Sequence, residues 1–342
     1  MISHLAASGR PAREIACLLL PCLGEPALRD LVDAQPDEVL HELRMLRPSS
    51  AEDIRALLAA GKPVEALEFL SLPNATWSSV LLLEALEKLG SVGPERHDTL
   101  LRHYVHQAIE RLEKEPDVDR TRLARTEFAL FPLLQSGFEA FAGALFDAVT
   151  SDPHFFVELL TFAYRAEGEP HRELDERAKL MAKNALNILK SCDRVPGRRP
   201  DGTIDEEVLR DFVDRTRDLA RKAGRLSVCE DYLGRILAHA PDDPDGTRPC
   251  RAVASLLDRR ELQRVREDFV IGVYRQRGVV SRRADEGGDQ ERTLAARYHD
   301  LARRHAVDFP RLAASLGKVA AWYEWEAGRA DEDCRAWREG LP

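Results

Sequence analysis

Aromatics, methionine and long apolar runs are all scarce in this chain, and each shortage excludes something. Of 342 residues, 6% are aromatic and three are Met. The longest apolar run, Ile15–Leu23, is interrupted by Pro21 and falls far short of the ~20 apolar residues that span a bilayer. Arg10 and Arg13 precede it as in a secretory leader, but no small-residue cleavage site follows, and Gly24-Glu25-Pro26 looks like a helix stop. The expectation is a core helix in a cytoplasmic protein without membrane contact. The six cysteines, at 17, 22, 192, 229, 250 and 334, form no CxxC pair, which fits reduced thiols rather than a disulfide framework.

Catalytic signatures are missing as well. There is no GxGxxG, HExxH or GxSxG, and Gly61-Lys62-Pro63 lacks the upstream residues that would cradle a phosphate. No enzymatic activity, catalytic residue or cofactor is therefore expected. The net charge of −9 argues against the whole chain being a non-specific nucleic-acid binder, which needs positive surface, and leaves room for a local basic face.

What is abundant is Leu, Ala, Arg and Glu, good helix formers, while strand-favouring β-branched residues are comparatively few. Helix punctuation recurs. Ser50-Ala-Glu-Asp53 reads as a capping box before Ile54, Leu57 and Leu58, Gly61 as a C-cap, and Lys62-Pro63 as the next start. Leu101, Tyr104, Val105, Ala108 and Leu112 form one helical stripe, and Asp152-Pro153 opens a helix that buries Phe155 and Phe156. About sixteen helices are predicted and no strand. The expected fold is all-α: an irregular array of helical hairpins, either a HEAT/TPR-like solenoid or two stacked helical bundles, closed by a C-terminal hairpin of Gln290–His305 and Phe309–Ala327. A Pro, Gly and Arg-rich loop at 192–203 suggests a linker between an N-terminal array, 1–191, and a C-terminal domain, 204–342.

Possible sites are few. His97, His103 and His106 are close in sequence, but helical geometry puts His103 and His106 on the wet face and His97 elsewhere, so no metal site is expected. Asp201-Gly-Thr-Ile-Asp205 resembles the middle of a calcium loop, yet Gly197, Arg199 and Val208 occupy positions that need oxygen ligands; a turn and an N-cap are expected. Asp242, Asp243 and Asp245 read as a solvated turn. The stretch Arg259–Arg304 holds twelve arginines against eight acids, and Arg275, Arg277, Arg282 and Arg283 flank a flexible Gly278–Gly288 segment. These four are the candidate contacts for phosphate or an acidic partner. Trp322 and Trp325 lie off the apolar stripe of the last helix that carries Tyr323, and Trp337 follows; they are either an exposed interface or core packed against an earlier helix. Asp289, Glu291 and His299 around Gly287-Gly288 are the best prospects for proton-transfer chemistry, with a flexible lead-in and an Asp289 N-cap as the competing reading.

Two sets of segments carry a resemblance. Thr126-Glu-Phe-Ala-Leu-Phe-Pro-Leu-Leu134 is followed by Asp152-Pro-His-Phe-Phe-Val-Glu-Leu-Leu160 and Tyr164. Ala238-His-Ala-Pro-Asp-Asp-Pro-Asp-Gly246 is followed by Gly278-Val-Val-Ser-Arg282, Glu286-Gly-Gly-Asp-Gln-Glu-Arg292 and Tyr298. Together they resemble the C-terminal helical region of large, mostly uncharacterised bacterial proteins, some with an upstream ATP-binding or other effector module and several associated with antiviral defence. Stacked helical hairpins expose a long concave surface suited to proteins or peptides, so a non-enzymatic helical scaffold that binds a protein partner is expected; the resemblance implies a defence setting for it, as a sensor, inhibitor or protease substrate. The alternative is a nucleic-acid-binding module using the arginine-rich 259–304 region.

Overall fold

Apolar stripes, with side-chain caps at the starts of five described helices, shape the computed structural model, which describes residues 11–19, 36, 38, 39, 42, 50–71, 78–92, 99–135, 142–170, 173–278, 281, 283 and 286–339. His97, Arg282, Cys22 and the side chain of Cys17 lie outside the described residues. Fifteen α-helices and no strand are found among those described. The chain divides into two compact units, Met1–Leu145 and Phe146–Pro342. The 192–203 segment, expected as a linker, runs inside the second unit.

In the first unit the helices are α1 (Ala12–Leu19), α2 (Ala51–Ala59), α3 (Pro63–Leu70), α4 (Ser79–Val92), α5 (Thr99–Glu113) and α6 (Arg120–Leu134). The Ser50–Asp53 capping box is formed in both directions at the start of α2, and Pro63 occupies the first turn of α3. Asp119 caps α6 through the amides of Thr121 and Arg122. Leu101, Val105, Ala108 and Leu112 of α5 are buried. His106 departs from the wet-face expectation: it is half-buried, with Nε2 3.2 Å from the Leu133 carbonyl oxygen, so its ring ties α5 to the end of α6.

The division falls in the first turn of α7 (Gly143–Ser151). The second unit continues with α8 (Pro153–Ala163), α9 (Glu176–Ser191), α10 (Glu206–Lys222), α11 (Leu226–Leu237), α12 (Arg251–Leu257), a 3-10 turn at Arg260–Leu262, α13 (Gln263–Arg275), α14 (Asp289–His305) and α15 (Pro310–Arg338). Phe155 and Phe156 are buried, and Phe156 meets Phe212 edge-on at 6.0 Å. Helices α11 and α13 approach so closely that a Cβ on Gly234 would sit 2.4 Å from the Val265 carbonyl oxygen; only a glycine admits that approach.

Helix α15 runs 29 residues, eleven past the end expected at Ala327. Neither Gly nor Pro stops it, because the buried stripe Leu316, Val319, Tyr323, Ala327 continues through Ala330 and Cys334 at the same spacing. At 1.5 Å per residue it is about 43 Å long.

Candidate functional site

The last three helices show why the arginine count misleads. Arg277, at the C-terminal end of α13, turns inward. Its Nη2 pairs with Glu291 of α14, its Nη1 lies 3.2 Å from Glu326 of α15, and its guanidinium sits 5.5 Å over the Tyr323 ring. Glu291 is fully buried. Burial opposes the charge on Arg277, yet the bonds to Glu291 and Glu326 outweigh it and hold the guanidinium more firmly protonated than a free one. Tyr274 donates its hydroxyl to Glu326, which pushes the Tyr274 pKa up. Tyr298 stacks on Tyr323 at 5.7 Å, and burial pushes the Tyr323 hydroxyl to about 12.

The four candidate arginines are therefore not one surface. Arg277 is spent inside the fold, Arg275 and Arg283 are exposed, and Arg282 lies outside the described residues. Most of the surrounding arginines already face acids. Arg259 pairs with Asp214, Arg264 with Asp231, Arg292 with Asp289 and Asp331, and Arg303 and Arg304 with Asp300. Arg266 is buried and donates to the carbonyls of Leu257 and Arg259 at 2.7 and 2.6 Å.

The proton-transfer prospects do not converge either. Glu291 belongs to the buried pair, Asp289 is bound to Arg292, and His299 lies 2.8 Å from Glu324 on the exterior. Gly288, not Asp289, caps α14. Gly288 serves packing rather than ligand access. A Cβ there would stand 2.4 Å from the Ala327 backbone, and its N–H donates to Asp331 at 2.8 Å. Asp201 and Asp205 shape a turn and cap α10, while Asp243 and Asp245 accept backbone N–H bonds from Arg251 and Thr247. Among the described residues no group of three or more His, Cys, Asp or Glu could hold a metal ion.

Trp322 and Trp325 share a side of α15, and Trp337 lies farther along the helix and about a third of a turn round from Trp325. Trp322, Trp325 and Trp337 are 42%, 58% and 57% exposed. Trp322 stacks against Tyr274 at 4.4 Å, so the rigid cluster beneath sets its ring plane. Trp325 lies one turn on, with Arg329 at 5.1 Å over its ring. Lys318, Trp322, Trp325, Arg329 and Glu332 are spaced by four, three, four and three residues, and all are exposed, which aligns them along one side of α15. Sequence reading found the tryptophans but missed Tyr274, which braces Trp322, and Glu326, which accepts the Tyr274 hydroxyl. Glu326 stands one turn beyond Trp322, a spacing visible in the sequence.

The chain matches no protein-family model, no curated protein and no solved structure. Among the described residues no helix is long and apolar enough to cross a membrane.

Proposed function

We propose that the chain is a non-enzymatic interaction protein that docks a protein partner on the exposed tryptophan-bearing side of α15. The observation that carries this is the Trp322–Trp325–Arg329 stripe. Two large rings stand in solvent on a long helix, one of them stacked on Tyr274 at 4.4 Å. Both rings keep large apolar area in water that a partner could cover. Trp and Arg are also the side chains that most often anchor protein interfaces. Stacking lowers the entropy lost when Trp322 is covered. An array of helical hairpins, as a solenoid or as stacked bundles, would present such a helix as a ready docking edge. An antiviral-defence role, as sensor, inhibitor or protease substrate in a cytoplasmic setting, belongs to the same proposal and rests on the sequence resemblance. The nucleic-acid alternative loses Arg277, which is held inside the fold between the buried Glu291 and Glu326.

The test is affinity capture with tagged wild-type chain and with Trp325→Ala, with and without nuclease. Loss of a nuclease-resistant partner from the variant, at unchanged melting temperature, supports the docking face. Equal recovery by both chains removes it. Partners lost on nuclease treatment would restore the nucleic-acid reading.

A further inference from the structure

We propose that a groove in the second unit, bordered by the end of α7, the 192–203 loop and one side of α10, binds a small phosphate-bearing molecule. This is independent of the tryptophan face. The groove has a volume of about 660 Å³, within the ~300–1,000 Å³ range of small-molecule sites. Arg194, Arg198 and Arg199 from the loop and Arg215 from α10 line it, against only two acids, Asp147 and Asp211. Asp205 also offsets Arg199 from beside the groove, so four cations against three anions leave a formal +1 in a chain whose net charge is −9.

The arginines are pre-positioned. Arg198 pairs with Ile204 in an antiparallel bridge, Arg199 N–H donates to the Thr203 carbonyl at 2.8 Å, and Asp205 N–H to that of Gly197 at 2.8 Å. Val195 is buried as an anchor. Arg194 is held by Asp147, Arg199 by Asp205 at 2.7 Å and Arg215 by Asp211 at 2.9 Å, all at the surface. Exposed ion pairs of this kind contribute little, so a stronger anion displaces Asp147 and Asp211 at small cost, while Asp205 stays on the α10 amides it caps. A carboxylate offers only what Asp147 and Asp211 already supply. A phosphate group brings up to two charges and three acceptor oxygens, which planar guanidinium forks grip bidentately. Pro153, Pro200 and the half-exposed Val208 supply apolar wall for the body of the ligand.

The probes are adenosine 5′-diphosphate, pyrophosphate and succinate, titrated calorimetrically into the full chain. Saturable binding of the diphosphate is expected, weakened about tenfold or more by Arg198→Ala and by Arg215→Ala, at unchanged melting temperature. Asp211→Asn, which removes the resident competitor, should tighten it. Equal affinity for pyrophosphate would assign recognition to the phosphates alone, and preference for the nucleotide to the apolar wall as well; either supports the site. Absence of saturation by both phosphates, binding indifferent to the arginine variants, or equal affinity for succinate overturns it.

Discussion

Two buried glutamates, one in each unit, meet opposite fates. Glu127 of α6 and Glu291 of α14 are both fully excluded from solvent. Glu291 faces Arg277, which supplies the opposite charge. Glu127 has no ion pair among the described residues, and the charge of Arg120 is only the weakest influence on it. Its Oε2 accepts the Leu145 N–H at 2.7 Å, while Glu113 beside it accepts the Ala144 N–H at 3.1 Å, so two carboxyl groups cap α7 together. Burial first, and then the neighbouring Glu113, push the Glu127 pKa up to about 8 although the Leu145 amide pulls it down. Residue type and burial are the same in both places. The neighbour decides whether the carboxyl keeps a proton or an ion pair forms.

Removing the cation should break the contrast most severely. Arg277→Ala removes the counter-charge from buried Glu291, a change that costs about 3–5 kcal/mol in comparable buried pairs. Thermal or urea unfolding measures it, and adding Glu291→Gln should recover a large part of the loss. Full stability in the single variant would mean that the pair contributes nothing.

A smaller effect is expected at Glu127. The unfolded carboxyl releases its proton near 4.5 and the folded one near 8, so within that window the folded state binds the extra proton. Stability therefore falls as pH rises from about 4.5 to about 8 and is flat above. The slope is at most about 1.4 kcal/mol per pH unit. Glu127→Gln keeps an acceptor for Leu145 and a donor for Glu113 but cannot ionise. It should flatten the profile and be up to about 2 kcal/mol more stable than wild type at pH 6. An unchanged slope in the variant would place the proton elsewhere.

The contrast also marks what was legible in the sequence. Helix starts with an Asp or Ser cap, such as Asp119, Asp152 and Asp205, and the buried faces of Phe156 and Tyr323, follow from local pattern, because capping and periodicity act over four or five residues. The end of α15 was missed because the smaller Ala327, Ala330 and Cys334 prolong its stripe. The internal position of Arg277 was illegible for a different reason. Whether an arginine faces water or an acid fifty residues away, as Arg277 faces Glu326, is a tertiary property that spacing does not encode. The same limit hid the groove. Arg194, Arg198 and Arg199 read as linker composition until α10 brought Arg215 to face them. Tryptophan placement lay between these cases: the helical wheel separated Trp322 and Trp325 from Tyr323, and only the structure showed them exposed.

Asp268 of α13 tests whether the rule is graded rather than all-or-none, and its effect should be the smallest. It is largely buried, with an acid and a cation both at hand. Asp231 lies beside it, and Arg235 approaches to 3.3 Å. Burial, then the shared hydrogen bond and charge of Asp231, raise its pKa, Arg235 pulls it back, and the result is about 6, between the free value and that of Glu127. Stability should fall as pH rises from about 3.8 to about 6, a narrower window than that of Glu127. Carbon-detected NMR titration of the Asp268 carboxyl reads the midpoint directly. Arg235→Gln should raise it toward the Glu127 value and Asp231→Asn should lower it. If neither variant moves the midpoint, burial alone sets the proton at this position, and the neighbour rule drawn from Glu127 and Glu291 does not extend to it.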